Sequence, residues 1–140
     1  MAESEWQGSL CIGVCEVDIQ HRMLFEQFNV FLAACTRQED EDAIYRLCWF
    51  LEAYALAHFQ DEEELMQRVA YPDFERHQAQ HLAFSAEVGK LKKRLKDEGP
   101  HQALIVSITT FMTGWLVRHV TTMDKAIGKF MTDKGIAFSF

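Results

Sequence analysis

Several things are missing from this 140-residue chain, and each absence removes a class of protein. It has no strand-like alternation of useful length, no internal repeat and no low-complexity tract, so sheet, solenoid and disordered readings fall away. No uninterrupted apolar run approaches the roughly 20 residues that span a bilayer. The first residues, with Glu3 and Glu5, lack the basic segment of a secretory signal. Cations are outnumbered, 14 Lys and Arg against 21 Asp and Glu. The net charge of −7 therefore argues against nucleic acid or an anionic membrane as a partner. The four cysteines (Cys11, Cys15, Cys35, Cys48) include no CxxC pair and read as reduced thiols in a cytoplasmic protein. Cys35 and Cys48 sit on apolar helix faces and are expected to pack in a core. Proline occurs only at Pro72 and Pro100, where it punctuates rather than interrupts.

What is present is helical periodicity. Residues 1–17 lack it and are expected to form an extended N-terminal arm anchored by Trp6. Asp18 is placed to cap a first helix with its stripe at Leu24, Phe28, Phe31, Leu32 and Cys35, which His21 extends by one turn. The acidic run Glu39 to Asp42 suits the positive end of a second helix. That helix carries Ile44, Leu47, Cys48, Leu51, Ala55, His58, Glu62 and Leu65 on one face. A third helix begins after Pro72, with Asp73 as a candidate cap. It runs through Phe74, His77, His81, Phe84, Val88, Leu91 and Leu95 to the stop at Glu98-Gly99-Pro100. The fourth bears Leu104, Ile108, Met112, Trp115 and His119. The expected fold is all-α, one domain over 1–140: an up-down-up-down antiparallel four-helix bundle over 18–132, with a short C-terminal helix.

The histidines sit at telling positions. Residues four apart on a helix lie about 40° apart in angle, so His58 with Glu62 and His77 with His81 each project from one face. The pairs flank one turn, on stripes where isolated charge is costly to bury. In an up-down bundle, residues equally far from a connecting turn share a level. His21 and His58 are about equally far from a turn near 38, His58 and Glu62 match His77 and His81 about 70, and His119 matches His77 and His81 about 99. His101, roughly 27 Å along the helix from His119, cannot join them and is expected at an exposed helix start. Neutral imidazoles suit iron, copper, zinc or nickel, and a carboxylate can bridge two ions. Asp124 is five residues past His119 and turned about 140° away on an unbroken helix. It reaches the site only if the chain bends or restarts between them, for which a break near Thr121 and Thr122 is the expected place; otherwise it is an exposed aspartate past a helix end.

The segments GVCEVDIQH (to His21), HFQDEE (from His58), YPDFERHQAQH (to His81) and WLVRHVTTMD (to Asp124) resemble the hemerythrins, in particular the bacterial single-domain ones. The resemblance implies a cofactor of two iron ions, Fe2+ or Fe3+, bridged by an oxo or hydroxo oxygen. It implies that His77, His81 and His119 bind one iron, His21 and His58 the other, and that Glu62 and Asp124 bridge them. The second iron would keep an open position for dioxygen, bound reversibly in a carrier, store or sensor without catalytic turnover. A pocket of Leu24, Phe59, Trp115, Leu116, Val120 and Trp6 is expected around that position. A di-iron oxidase, peroxidase or nitric-oxide-handling enzyme using the same ligands, and an iron-storage bundle, remain alternatives. A protein that accepts the oxygen or reads its binding is a conceivable partner, of unknown identity.

Overall fold

The computed structural model describes residues 12–136, together with the backbone but not the side chains of Cys15 and Glu16. Trp6 and Cys11 lie outside the described residues. Helices α1 (Cys15–Thr36), α2 (Glu41–Arg68), α3 (Phe74–Glu98) and α4 (Gln102–His119) follow one another through short turns. A π-helical turn (Val120–Asp124) leads into α5 (Lys125–Lys134). Among the described residues there is no strand, and the architecture is a four-helix bundle. Phe28, Phe31, Ile44, Leu51, Phe84, Leu104, Ile108 and Met112 are buried and fill the core with the apolar stripes of all four helices.

The helix ends show where local sequence decided and where it did not. Asp40 caps α2, its carboxylate accepting from Asp42 N at 2.9 Å, and Glu41 and Asp42 occupy the first turn as their charge favours. Asp18 does not begin α1. That helix starts three residues earlier, at Cys15, and so takes in residues 15–17. The Asp18 carboxylate instead accepts from Ile12 N at 2.7 Å and Gly13 N at 3.3 Å. Gly13 allows this with φ of +90°, a value that costs glycine little. Asp73 precedes α3 but makes no side-chain cap bond; its carbonyl accepts from His77 N at 3.0 Å. His101 caps α4, its ring accepting from Leu104 N at 3.3 Å.

The chain does not break between His119 and Asp124. Gln102–Lys134 is one continuous helical run of 33 residues, widened by the π turn. Thr121 Oγ1 donates to Val117 O at 2.7 Å, and Thr122 Oγ1 to Arg118 O at 2.6 Å. Hydroxyls that occupy carbonyls one turn back loosen the α pattern, and here an i→i+5 turn replaces it. By length and composition this run could cross a membrane, which a search for uninterrupted apolar residues overlooks. Half of its most apolar window is buried in the bundle.

Candidate metal centre

Each helix delivers its part of one buried cluster. His21 comes from α1, His58 and Glu62 from α2, His77 and His81 from α3, His119 from α4, and Asp124 from the π turn. All seven are at most 3% exposed. An α-helix has 3.6 residues per turn, so a residue five on faces away; in the wider π turn five residues make little more than one revolution. Asp124 thereby returns to the face of His119.

The seven side chains form two nests. In the first, Nε2 of His119 lies 3.0 Å from that of His77 and 3.1 Å from that of His81. Glu62 Oε1 faces these rings at 2.6 Å from His77 and 3.1 Å from His81, and Asp124 Oδ1 at 2.9 Å from His77 and 3.1 Å from His119. In the second nest, Asp124 Oδ2 is 2.9 Å from His21 Nε2, and Glu62 Oε2 is 3.2 Å from His58 Nε2 and 3.6 Å from His21 Nε2. Each carboxylate gives one oxygen to each nest. Within a nest the ligand-type atoms lie within 4.8 Å of one another.

The electrostatics follow from this crowding. Burial opposes charge on the imidazoles of His21, His58, His77 and His119. For His21 the Asp124 and Glu62 carboxylates outweigh it and lift the pKa to about 10; the same pair lifts His77 to about 9 and raises His119. For His58 burial prevails and the pKa falls. Burial also pushes Glu62 and Asp124 upward, yet the surrounding imidazoles hold both well below the usual carboxylate range. The nests therefore stabilise positive charge between two carboxylates, as a bound cation requires.

A cation fits on independent grounds. Among the described residues, His58 Nε2, Glu62 Oε2, both Asp124 oxygens and both His21 ring nitrogens are buried without an aligned hydrogen bond, although several face one another at 2.9–3.6 Å. Buried polar atoms seldom remain so. Imidazole and carboxylate donors in these numbers suit transition metals, with the carboxylates spanning two ions.

Two imidazoles are held from behind by groups that the helical pattern did not single out. His58 Nδ1 lies 2.7 Å from Gln20 Oε1, and Gln20 Nε2 donates to Asp61 at 2.9 Å. His81 Nδ1 lies 2.9 Å from Glu63 Oε2, and Gln78 Nε2 donates to Glu63 Oε1 at 2.8 Å. All four partners adjoin a ligand in sequence, which is the signal that could have found them. One residue is about 100° of helix rotation, enough to turn a side chain from the bundle axis to the seam with the next helix.

The apolar surroundings are unequal. Phe59 stacks on His81 at 4.0 Å between ring centroids, and Trp115 stacks on His119 at 4.3 Å. Trp115 thus lines the three-imidazole nest, while Phe59 also reaches the two-imidazole side, 6.0 Å from the His58 ring. Leu24, Leu116 and Val120 are buried within a turn or so of His21 or His119. His101 is exposed beside Glu98, away from the cluster.

The chain is similar to known proteins over most of its length. The family model described as the hemerythrin HHE cation binding domain matches residues 13–130. A bacteriohemerythrin of Stenotrophomonas maltophilia is 29% identical over 126 residues, covering 90% of this chain and 80% of the relative. One from Methylococcus capsulatus is 30% identical over 112 residues, 79% and 82% of the two chains. Hemerythrin subunit alpha of Lingula anatina is 26% identical over 119 residues, 85% and 87%.

Proposed function

The chain belongs to the hemerythrin family, and from that premise we propose that it binds dioxygen reversibly at a non-haem di-iron centre. The ligands in this reading are His77, His81 and His119 for one iron, His21 and His58 for the other, with Glu62 and Asp124 bridging. The observation that carries it is the division of each carboxylate, one oxygen to each imidazole nest. When bound, the iron pair supplies the two electrons that dioxygen takes up on binding and returns on release.

The protein's own part is to hold and to exclude. Five imidazoles keep the centre less electron-rich than a carboxylate-dominated one, which favours return of the electrons over cleavage of the oxygen–oxygen bond. Burial of all seven ligands keeps bulk water and external acids from surrounding the reacting atoms. Leu24, Phe59, Leu116 and Val120 are the described candidates for the wall of the dioxygen pocket, Phe59 by its approach to His58. Phe59 and Trp115 hold the His81 and His119 rings in place by stacking. We read residues 1–140 as one hemerythrin-like domain of a cytoplasmic carrier, store or sensor, with no catalytic turnover.

The test is the visible spectrum of the anaerobically reduced, iron-loaded protein. Two irons per chain are expected, with charge-transfer bands that appear in air and vanish again under inert gas. An irreversible change with release of an oxidised product would overturn this reading in favour of the oxidase or peroxidase alternative. Iron retained without any response to air would favour storage.

A further inference from the structure

The two nests differ in what stands behind their imidazoles. His58 donates from Nδ1 to a neutral amide, because Gln20 Nε2 is committed to Asp61 at 2.9 Å and only its oxygen can face the ring. His81 donates from Nδ1 to a carboxylate, Glu63, whose other oxygen is held by Gln78 at 2.8 Å. Each contact crosses a helix seam: Gln20 of α1 holds a ring of α2, and Glu63 of α2 holds a ring of α3. In both, a proton on Nδ1 leaves the Nε2 lone pair facing the nest. Among the described residues, Nδ1 of His21, His77 and His119 has no such partner.

We propose that Glu63 is a positioning residue that fixes His81 in its metal-binding tautomer and, by its charge, makes the three-imidazole nest the more electron-rich half of the centre. The inference rests on the di-iron reading above. A carboxylate behind an imidazole draws on its N–H and raises the basicity of the opposite nitrogen, which an amide does far less. The iron held by His77, His81 and His119 is then the easier of the two to oxidise. Gln20 orients His58 as firmly but adds no charge, so the half with the open position keeps the weaker donor set. Partial burial of Glu63, with its side chain 21% exposed, strengthens the contact relative to a surface pair.

Glu63→Gln separates charge from geometry. The new amide oxygen can still accept from His81 Nδ1–H, and Gln78 can turn its own amide over to match. This variant is expected to bind two irons per chain like the parent, with the midpoint potential of the centre shifted upward. Glu64→Gln is the control: it removes the same charge one residue along, at an exposed position paired with Arg68, and should leave the potential unchanged. Glu63→Ala, which also frees the tautomer, should weaken cobalt(II) binding about 10- to 100-fold. In the zinc-loaded parent, the His81 Nδ1 proton should appear as a hydrogen-bonded NMR resonance that Glu63→Ala loses. A fully loaded Glu63→Gln protein with the parent's potential would overturn the inference while leaving the di-iron reading intact. A parent that binds no metal pair would overturn both.

Discussion

At the scale of single residues, the site is a matter of which histidines share a level. His77 lies in the first nest, with its Nε2 within 3.0 Å of both carboxylates and of His119. His77→Ala is expected to remove at least one of two irons per chain, measured by elemental analysis of the purified protein. Retention of both would refute the ligand assignment. His101→Ala should keep both irons, since that ring caps α4 at the surface, and should lose under about 1 kcal/mol of stability with the cap. The level of each histidine could be read from the sequence, because distance along a helix from a turn is a count of residues. The hydrogen bonds of Gln20 and Glu63 could not. They depend on tenths of an ångström across a helix seam, and an outward-turned polar residue beside a ligand has many possible partners.

Elements carry their own signals, chiefly at their ends. The turn from α2 to α3 is closed by Tyr71 N donating to Met66 O at 2.9 Å and Ala70 N to Gln67 O at 3.2 Å. Ala70 adopts φ of +53° there, the left-handed position where glycine is favoured. Relief of that strain is worth about 1–2 kcal/mol, and the added freedom of glycine in the unfolded chain returns roughly 0.4–1. Ala70→Gly is therefore expected to stabilise the protein by up to about 1 kcal/mol, with iron content unchanged. Equal or lower stability in denaturant titration would show that the turn is not strained. The helices themselves were legible from their apolar periods and from Gly99-Pro100. The π turn was not: Thr121 and Thr122 look like a break, and only the packing of α4 and α5 in one line shows that their hydroxyls widen the helix instead.

For the whole molecule, the cluster ties four helices together, so its protonation bears on global stability. In the metal-free protein the raised pKa values of His21 and His77, about 10 and about 9, set the sign. A folded-state pKa above the unfolded value means that the native state binds protons more tightly. That stabilisation is fully present below the unfolded value of about 6.5 and is lost as pH rises through 9 to 10. Glu62 and Asp124, held low, contribute above their unfolded range and fail only in strong acid. His58, lowered by burial, works against stability on the acid side. The apo protein should thus melt at progressively lower temperature from pH 6.5 to pH 10. Iron loading should abolish that dependence, because the metal takes the place of the protons. A melting temperature of the apo form that is flat or rising across this range would refute the account.

Alone, the sequence determined the helix count, the faces that turn inward and the common height of the histidines. These follow from period, turn position and residue number, all of which are local. Tertiary structure decided how the helices are rotated against one another, and hence which carboxylate oxygen faces which nest and which ring Phe59 and Trp115 cover. It also decided where Ile12, just before α1, lies. The Ile12 carbonyl occupies the space that a side chain at Gly128 of α5 would need, a close approach between residues 116 positions apart. No local pattern encodes such a contact, because it forms only when distant elements compete for the same space and the smallest residue yields it.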